Sequence, residues 1–218
     1  MRNIVPALGS VFGGLSDQNY EKSFAFFRLW FGIGQAHSQI PPDLILDVVY
    51  ENRARAPSHS DFICPTAHLL LRFIGDVELD PIFAPHSAGL RGRFCTRILQ
   101  DFFDTDLGAV YTGNPWSENH FYMDANLIAH CANLKCIEED TIRNQILQSL
   151  ISHHKLYEHQ AVALAILFKI AGVTFEACAN PASVGSCFEL LKNYRSRDRA
   201  KATLIRVSAF SVQRRWNC

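Results

Sequence analysis

Three histidines, His153, His154 and His159, fall within the stretch LISHHKLYEHQAVALAILFKIAG at residues 150–172. Imidazole is a preferred zinc ligand, and two donors on one helix converge on an ion most readily at i and i+4. Here His154 and His159 are five apart, and Glu158 precedes His159 without completing an HExxH pattern. The three rings are the metal candidates of the sequence. A second cause accounts for them without zinc: imidazoles in the last turn of a helix are favoured by its dipole and free carbonyls. The preferred reading is a joint between two helices, with Leu156 and Tyr157 closing it, and no cofactor.

Other clusters carry less chemistry. His120, His130 and Cys131 fit no zinc spacing; Asn126 and His130 share a helical face, while Cys131 joins Leu127 and Ile128 on the apolar side. In DFFDTDLG, Asp101, Asp104, Asp106 and Gly108 suggest a calcium loop. Counted from Asp104, however, position five is Gly108 and position twelve is Pro115, where an EF-hand needs a ligand and a glutamate. Gly32-Ile33-Gly34 lacks both the third glycine and the preceding strand of a dinucleotide turn. Neither GxSxG nor a recognisable cysteine motif occurs. No residue is nominated as catalytic, and a hydrolase-type enzyme with a site assembled from distant residues stays as an alternative.

Charge is balanced overall, with 21 basic and 21 acidic residues, so no global field favours a polyanion. Its distribution is uneven. From Lys192 onward eight basic residues face one acid, Asp198, a local net of +7 that the preceding body offsets with −7. Arg195, Arg197, Arg199, Lys201, Arg214 and Arg215, with Trp216 as an apolar or stacking anchor, are the candidate partner contacts. The preferred reading is a solvated, passive tail, since short basic runs usually face water; among partners an acidic protein surface comes first, and nucleic acid is the alternative.

The seven cysteines include no CxxC pair and are read as free thiols in a reducing, intracellular compartment, cytoplasmic or nuclear. Pro6, Gly9, Gly13 and Gly14 interrupt the N-terminal apolar stretch, so it is not read as an export signal. The most apolar windows, 24–33 and 161–170, are about half of the ~20 residues a membrane span needs.

The elements that must position these residues are helical. Ile142, Ile146, Leu147, Leu150 and Ile151 form one stripe of a half-buried helix. The next helix, from about 156 to 171, is apolar around most of its circumference and is expected at the centre of the fold, with Gly172 as its left-handed stop. Further helices are expected over 24–35, 43–55, 61–74, 90–103 and 118–134, and after Asn180-Pro181. Strand evidence is confined to 203–212, where the tail departs from a helical pattern. Helix centres about 20–30 residues apart give pairs of about 40–45, the period of HEAT and armadillo repeats. The segment 125–196, with LIAHCANL, IRNQILQSLISHHKLYEHQAVALAILFKIAG and FELLKNY, resembles armadillo-like helical proteins of fungi. That resemblance implies a solenoid-type interaction scaffold and brings no catalytic residues. The sequence thus predicts an all-α chain of about eight helices in antiparallel pairs with α-solenoid character. One domain is expected over 1–196, with a possible subdivision near 76–88, followed by a basic tail, 197–218. The expected function is non-catalytic binding of a protein or peptide.

Overall fold

The computed structural model describes residues 15–36, 44–52, 62–83, 87–105, 115–151, 157–178 and 181–216. They are all-α, with nine helices and no strand among the described residues. In chain order these are α1 Tyr20–Ala36, α2 Leu44–Asn52, α3 Pro65–Leu79, α4 Leu90–Asp104, α5 Pro115–Asn133, α6 at 139–151, α7 Glu158–Cys178, α8 Pro181–Asn193 and α9 Arg199–Trp216. The chain divides into two compact units, one of residues 1–57 with 65–97, the other of 58–64 with 98–218. The division runs through α4 between Arg97 and Ile98.

The first unit is built on aromatic rings. Phe27, Phe73 and Phe83 are fully buried, with Phe27 edge-on to Phe73 at 4.8 Å and 5.7 Å from Phe83. Edge-to-face rings add favourable quadrupole contact to the area they bury. Val48 and Val49 of α2, Leu70 and Ile74 of α3, and Phe94 of α4 are buried as well. Around them lie ion pairs Arg28–Asp80 (2.8 Å), Arg91–Glu78 (2.7 Å) and Arg97–Asp47 (2.6 Å).

The second unit is built around α7. Every residue from Ala161 to Phe168 is wholly buried, and α5, α6, α8 and α9 all pack against this helix. That accounts for the lack of a polar face over Ala161–Phe168: no side of this stretch meets water, while Lys169 and Val173 further on are exposed. The helix is longer than its sequence suggests. It continues past Gly172 to Cys178 through a kink at Ala171 (φ −122°, ψ 23°), so Gly172 is not a left-handed stop. With 21 residues it is long and apolar enough to cross a membrane, while its most apolar stretch is enclosed by the other helices of the unit. Gly172 answers a packing demand instead: a Cβ there would lie 2.3 Å from Nη2 of Arg215.

The stripe of α6 is placed as its period requires, with Ile142, Ile146, Leu147 and Leu150 buried. The helix widens to π geometry over Ile142–Leu147, between α turns at Glu139–Thr141 and Gln148–Ile151. Residues 199–216, read as a non-helical tail with a possible strand, form α9. Leu204, Ile205, Ser208, Ala209 and Val212 are its buried side, a period-3.6 stripe against α7 and α8. The serine in that stripe is satisfied, because Ser208 Oγ donates to the Ala165 carbonyl of α7 at 2.9 Å.

Candidate functional site

Two features of the second unit gather chemically active side chains, and both depend on how α9 begins. Asp198 caps that helix: its Oδ1 accepts from the backbone N–H of Ala200 (2.8 Å) and of Lys201 (3.0 Å). The cap fixes Lys201 in the first turn. Its Nζ hydrogen-bonds Glu118 in the first turn of α5 and Glu158 in the first turn of α7, the latter at 3.2 Å. Carboxylates are favoured at helix starts, where the dipole is positive, but two brought together repel, and the ammonium between them resolves the conflict. Burial would lower the Lys201 pKa; the hydrogen bonds and charges of Glu118 and Glu158 outweigh it and leave it raised. Tyr122 Oη donates to Glu118 at 2.7 Å, and Ser196 Oγ donates to Glu158. Burial, then the bond to Glu118, pushes the Tyr122 phenol well above its ordinary value.

His159 sits beside this node, only 4% exposed, stacked on Tyr157 and edge-on to Phe121, each at 5.8 Å. Its Nε2 is buried without a hydrogen-bond partner. Burial is the main cause that lowers its pKa, and Lys201 adds to it, while Glu118 and Glu158 oppose. The ring is therefore held neutral. These groups include an acid, a base and a hydroxyl, yet the Ser196 hydroxyl is engaged as a hydrogen-bond donor to Glu158, and Glu118 and Glu158 are occupied by Lys201. The arrangement is an ion-paired joint of three helix starts.

The second feature is a groove of about 440 Å³ between α8 and α9. Phe188, Leu191, Ile205 and Ala209 form its apolar floor, and Lys192, Arg195 and Arg206 stand on its walls. Phe210 stands at its edge, 64% exposed, and Val207 beside it on α9 is exposed too. Lys192 Nζ lies 5.4 Å from the Phe188 ring centre, and Arg195 donates to the carbonyls of Lys192 and Tyr194. A shallower depression of about 680 Å³ lies between α6 and α8 and shares Tyr194 and Arg195 with the groove. Its remaining lining includes Ile151, Leu190, Gln148 and Glu189. Neither opening is lined by Glu118, Glu158, His159 or Lys201.

The structure sorts the sequence candidates. His153, His154, Leu156, Asp106 and Gly108 lie outside the described residues. His159 is within the first turn of α7 and buried; the connector it was expected to line, 152–156, lies outside the described residues. Among the described residues no group of three His, Cys, Asp or Glu side chains could hold a metal ion. His120 and His130 are ten residues apart on one helix, about 15 Å along its axis, so they cannot share an ion. Cys131 is a core residue, and Asn126 is a clamp: its Nδ2 donates to the carbonyls of Phe62 and Tyr122 and its Oδ1 accepts from the Cys64 N–H. This holds Phe62 at a positive φ of 53°. Asp101 lies in the last turn of α4, which ends at Asp104, and its pKa is raised by burial and by the charge of Asp104. Gly32-Ile33-Gly34 lies inside α1.

Of the basic candidates, Lys201 is turned inward, and Arg215 is held by Glu176 through paired bonds of 2.6 and 3.0 Å. Arg197, Arg199 and Arg214 are exposed and make no ion pair among the described residues; only Arg195 lines the groove. The side chain of Trp216 is outside the described residues. Sequence reasoning missed Phe188, Lys192, Arg206 and Phe210, because the groove exists only once 199–216 is a helix. In comparisons with known proteins, the chain matches no family model, no curated protein and no solved structure.

Proposed function

We propose that the protein is a non-catalytic helical module that binds a protein or peptide partner through its second unit. The observation that carries this reading is the groove between α8 and α9: an apolar floor flanked by cations, with Phe210 exposed at its edge. Open grooves of this kind on stacked helices accept a partner's side chains with little rearrangement of the receptor. In the same proposal α7, α8 and α9 stack as helices of an armadillo-like array would. The setting we propose is intracellular. Cys178 and Cys187 are buried thiols, and burial pushes the Cys187 thiol up to about 12, where it stays protonated and inert.

A random peptide library displayed on phage and selected on the full chain tests the reading. Enriched sequences should lose binding when Phe210→Asp replaces the apolar edge of the groove with a carboxylate, with the melting midpoint unchanged. No enrichment, or enrichment indifferent to Phe210→Asp, would sink it.

A further inference from the structure

Nothing in the proposed binding role says what the groove prefers, but the distribution of charge does. The excess of +7 in residues 192–218 is not presented evenly. Lys201 and Arg215 are consumed by carboxylates within the unit, and Asp198 by the cap of α9. What remains on the surface includes Arg206 and Arg195 in the groove, with Lys192 shared weakly with Glu189 at 3.8 Å. The depression across α8 is different in kind. Apart from Arg195 it offers Ile151, Leu190, neutral amides and Glu189.

We infer that the occupant is an acidic peptide segment with apolar neighbours on one side. Its carboxylates lie against Arg206, Arg195 and Lys192 in the α8–α9 groove, and its apolar flank crosses Tyr194 into the α6–α8 depression. This rests on the binding role proposed above and adds the partner's chemistry and direction. Cations over an apolar floor suit a carboxylate-bearing peptide with aliphatic or aromatic anchors, because the charges set approach and register while the anchors supply buried area. Two features favour a peptide over a nucleic acid. Duplex DNA carries a charge every ~1.7 Å, so it would run past this short patch onto the rest of the second unit, where residues 98–191 carry 4 basic against 11 acidic side chains. The ring of the floor, Phe188, is only 7% exposed and already faced by Lys192 Nζ at 5.4 Å, which leaves it little surface on which a base could stack.

The test is fluorescence anisotropy with three labelled probes on the full chain: a peptide with a run of Glu beside a run of Leu and Phe, the same peptide with Lys for Glu, and a single-stranded oligonucleotide. Two variants with equal charge change are compared, Arg206→Glu in the groove and Arg214→Glu, which lies on α9 outside it. The expected result is binding of the acidic peptide alone, weakened about tenfold or more by Arg206→Glu, and threefold or less by Arg214→Glu, with the affinity falling as salt rises. Equal loss in both variants, or preference for the oligonucleotide, overturns the inference. If the library yields neutral or basic peptides that still depend on Phe210, the inference fails and the binding role stands. If it yields nothing, both fail.

Discussion

Each unit contains a tyrosine whose hydroxyl donates to a carboxylate beside a cation, and the two versions differ in depth. In the first unit Tyr20 Oη donates to Asp76 at 2.6 Å, and Arg72 covers the ring at 3.9 Å while reaching Glu21 at 2.6 Å. In the second, Tyr122 donates to Glu118, and Lys201 stands 5.9 Å from the ring between Glu118 and Glu158. The Arg72 side chain is 49% exposed and that of Lys201 only 14%. Water can replace Arg72 but cannot easily replace Lys201. The same trio therefore decorates the edge of an aromatic core in one unit and joins three helix starts in the other.

The difference predicts its largest effect at Lys201. Lys201→Met leaves Glu118 and Glu158 facing each other with the ammonium gone, and should cost about 2 kcal/mol of unfolding free energy, below the ~3–5 of a fully buried broken pair because both acids keep some contact with water. Urea denaturation reads it. Adding Glu158→Gln to Lys201→Met should recover part of the loss, since one repelling charge is removed; a Lys201→Met chain as stable as the parent would mean the joint is merely surface.

Next comes His159. Its folded pKa lies below the ordinary 6.5, so the unfolded chain takes up the proton more readily, and stability present above about pH 6.5 falls as the pH drops below it. In His159→Phe, thermal midpoints between about pH 7 and 5.5 should fall less steeply than in the parent, by an amount on the order of 1 kcal/mol. Parallel curves for the two chains would show that His159 is solvated enough to titrate freely.

How much of this was legible in the sequence follows from which forces have a local signature. The centrality of α7 was visible in the run from Ala161 to Phe168, because burial on all sides forces apolar residues at every angle. The stripe of α6 was visible for the same reason. The helix α9 was not: Leu204-Ile205, Ser208-Ala209 and Val212 do repeat with helical period, but a buried serine and a run of β-branched residues imitate a strand, and only the Ala165 carbonyl across the interface explains Ser208. Gly172 was misjudged because its role is set by Arg215, forty-three positions away. The node of Glu118, Glu158 and Lys201 has no sequence signature at all, since its members are brought together only by the ends of three helices.

The equivalent change in the first unit should be small. Arg72→Met removes an exposed guanidinium from Glu21 and Asp76, and should cost about 1 kcal/mol or less in the same urea experiment. A loss matching that of Lys201→Met would erase the contrast between the units.

The smallest effect, and the most informative sign, belongs to Gly172→Ala. Alanine favours a helix over glycine by roughly 0.5–1 kcal/mol, yet the new Cβ would come within 2.3 Å of Nη2 and 2.9 Å of Cζ of Arg215. The guanidinium is the flexible end of a long side chain and can swing away, but in doing so it leaves Glu176, whose side chain is 9% exposed and held by paired bonds. The two contributions oppose each other, so the single substitution should change stability by no more than about 0.5 kcal/mol. In an Arg215→Ala background nothing has to move, and Gly172→Ala should stabilise by about 0.5–1 kcal/mol. A double-mutant cycle by urea denaturation measures that coupling directly; strict additivity would show that Arg215 does not rest on Gly172.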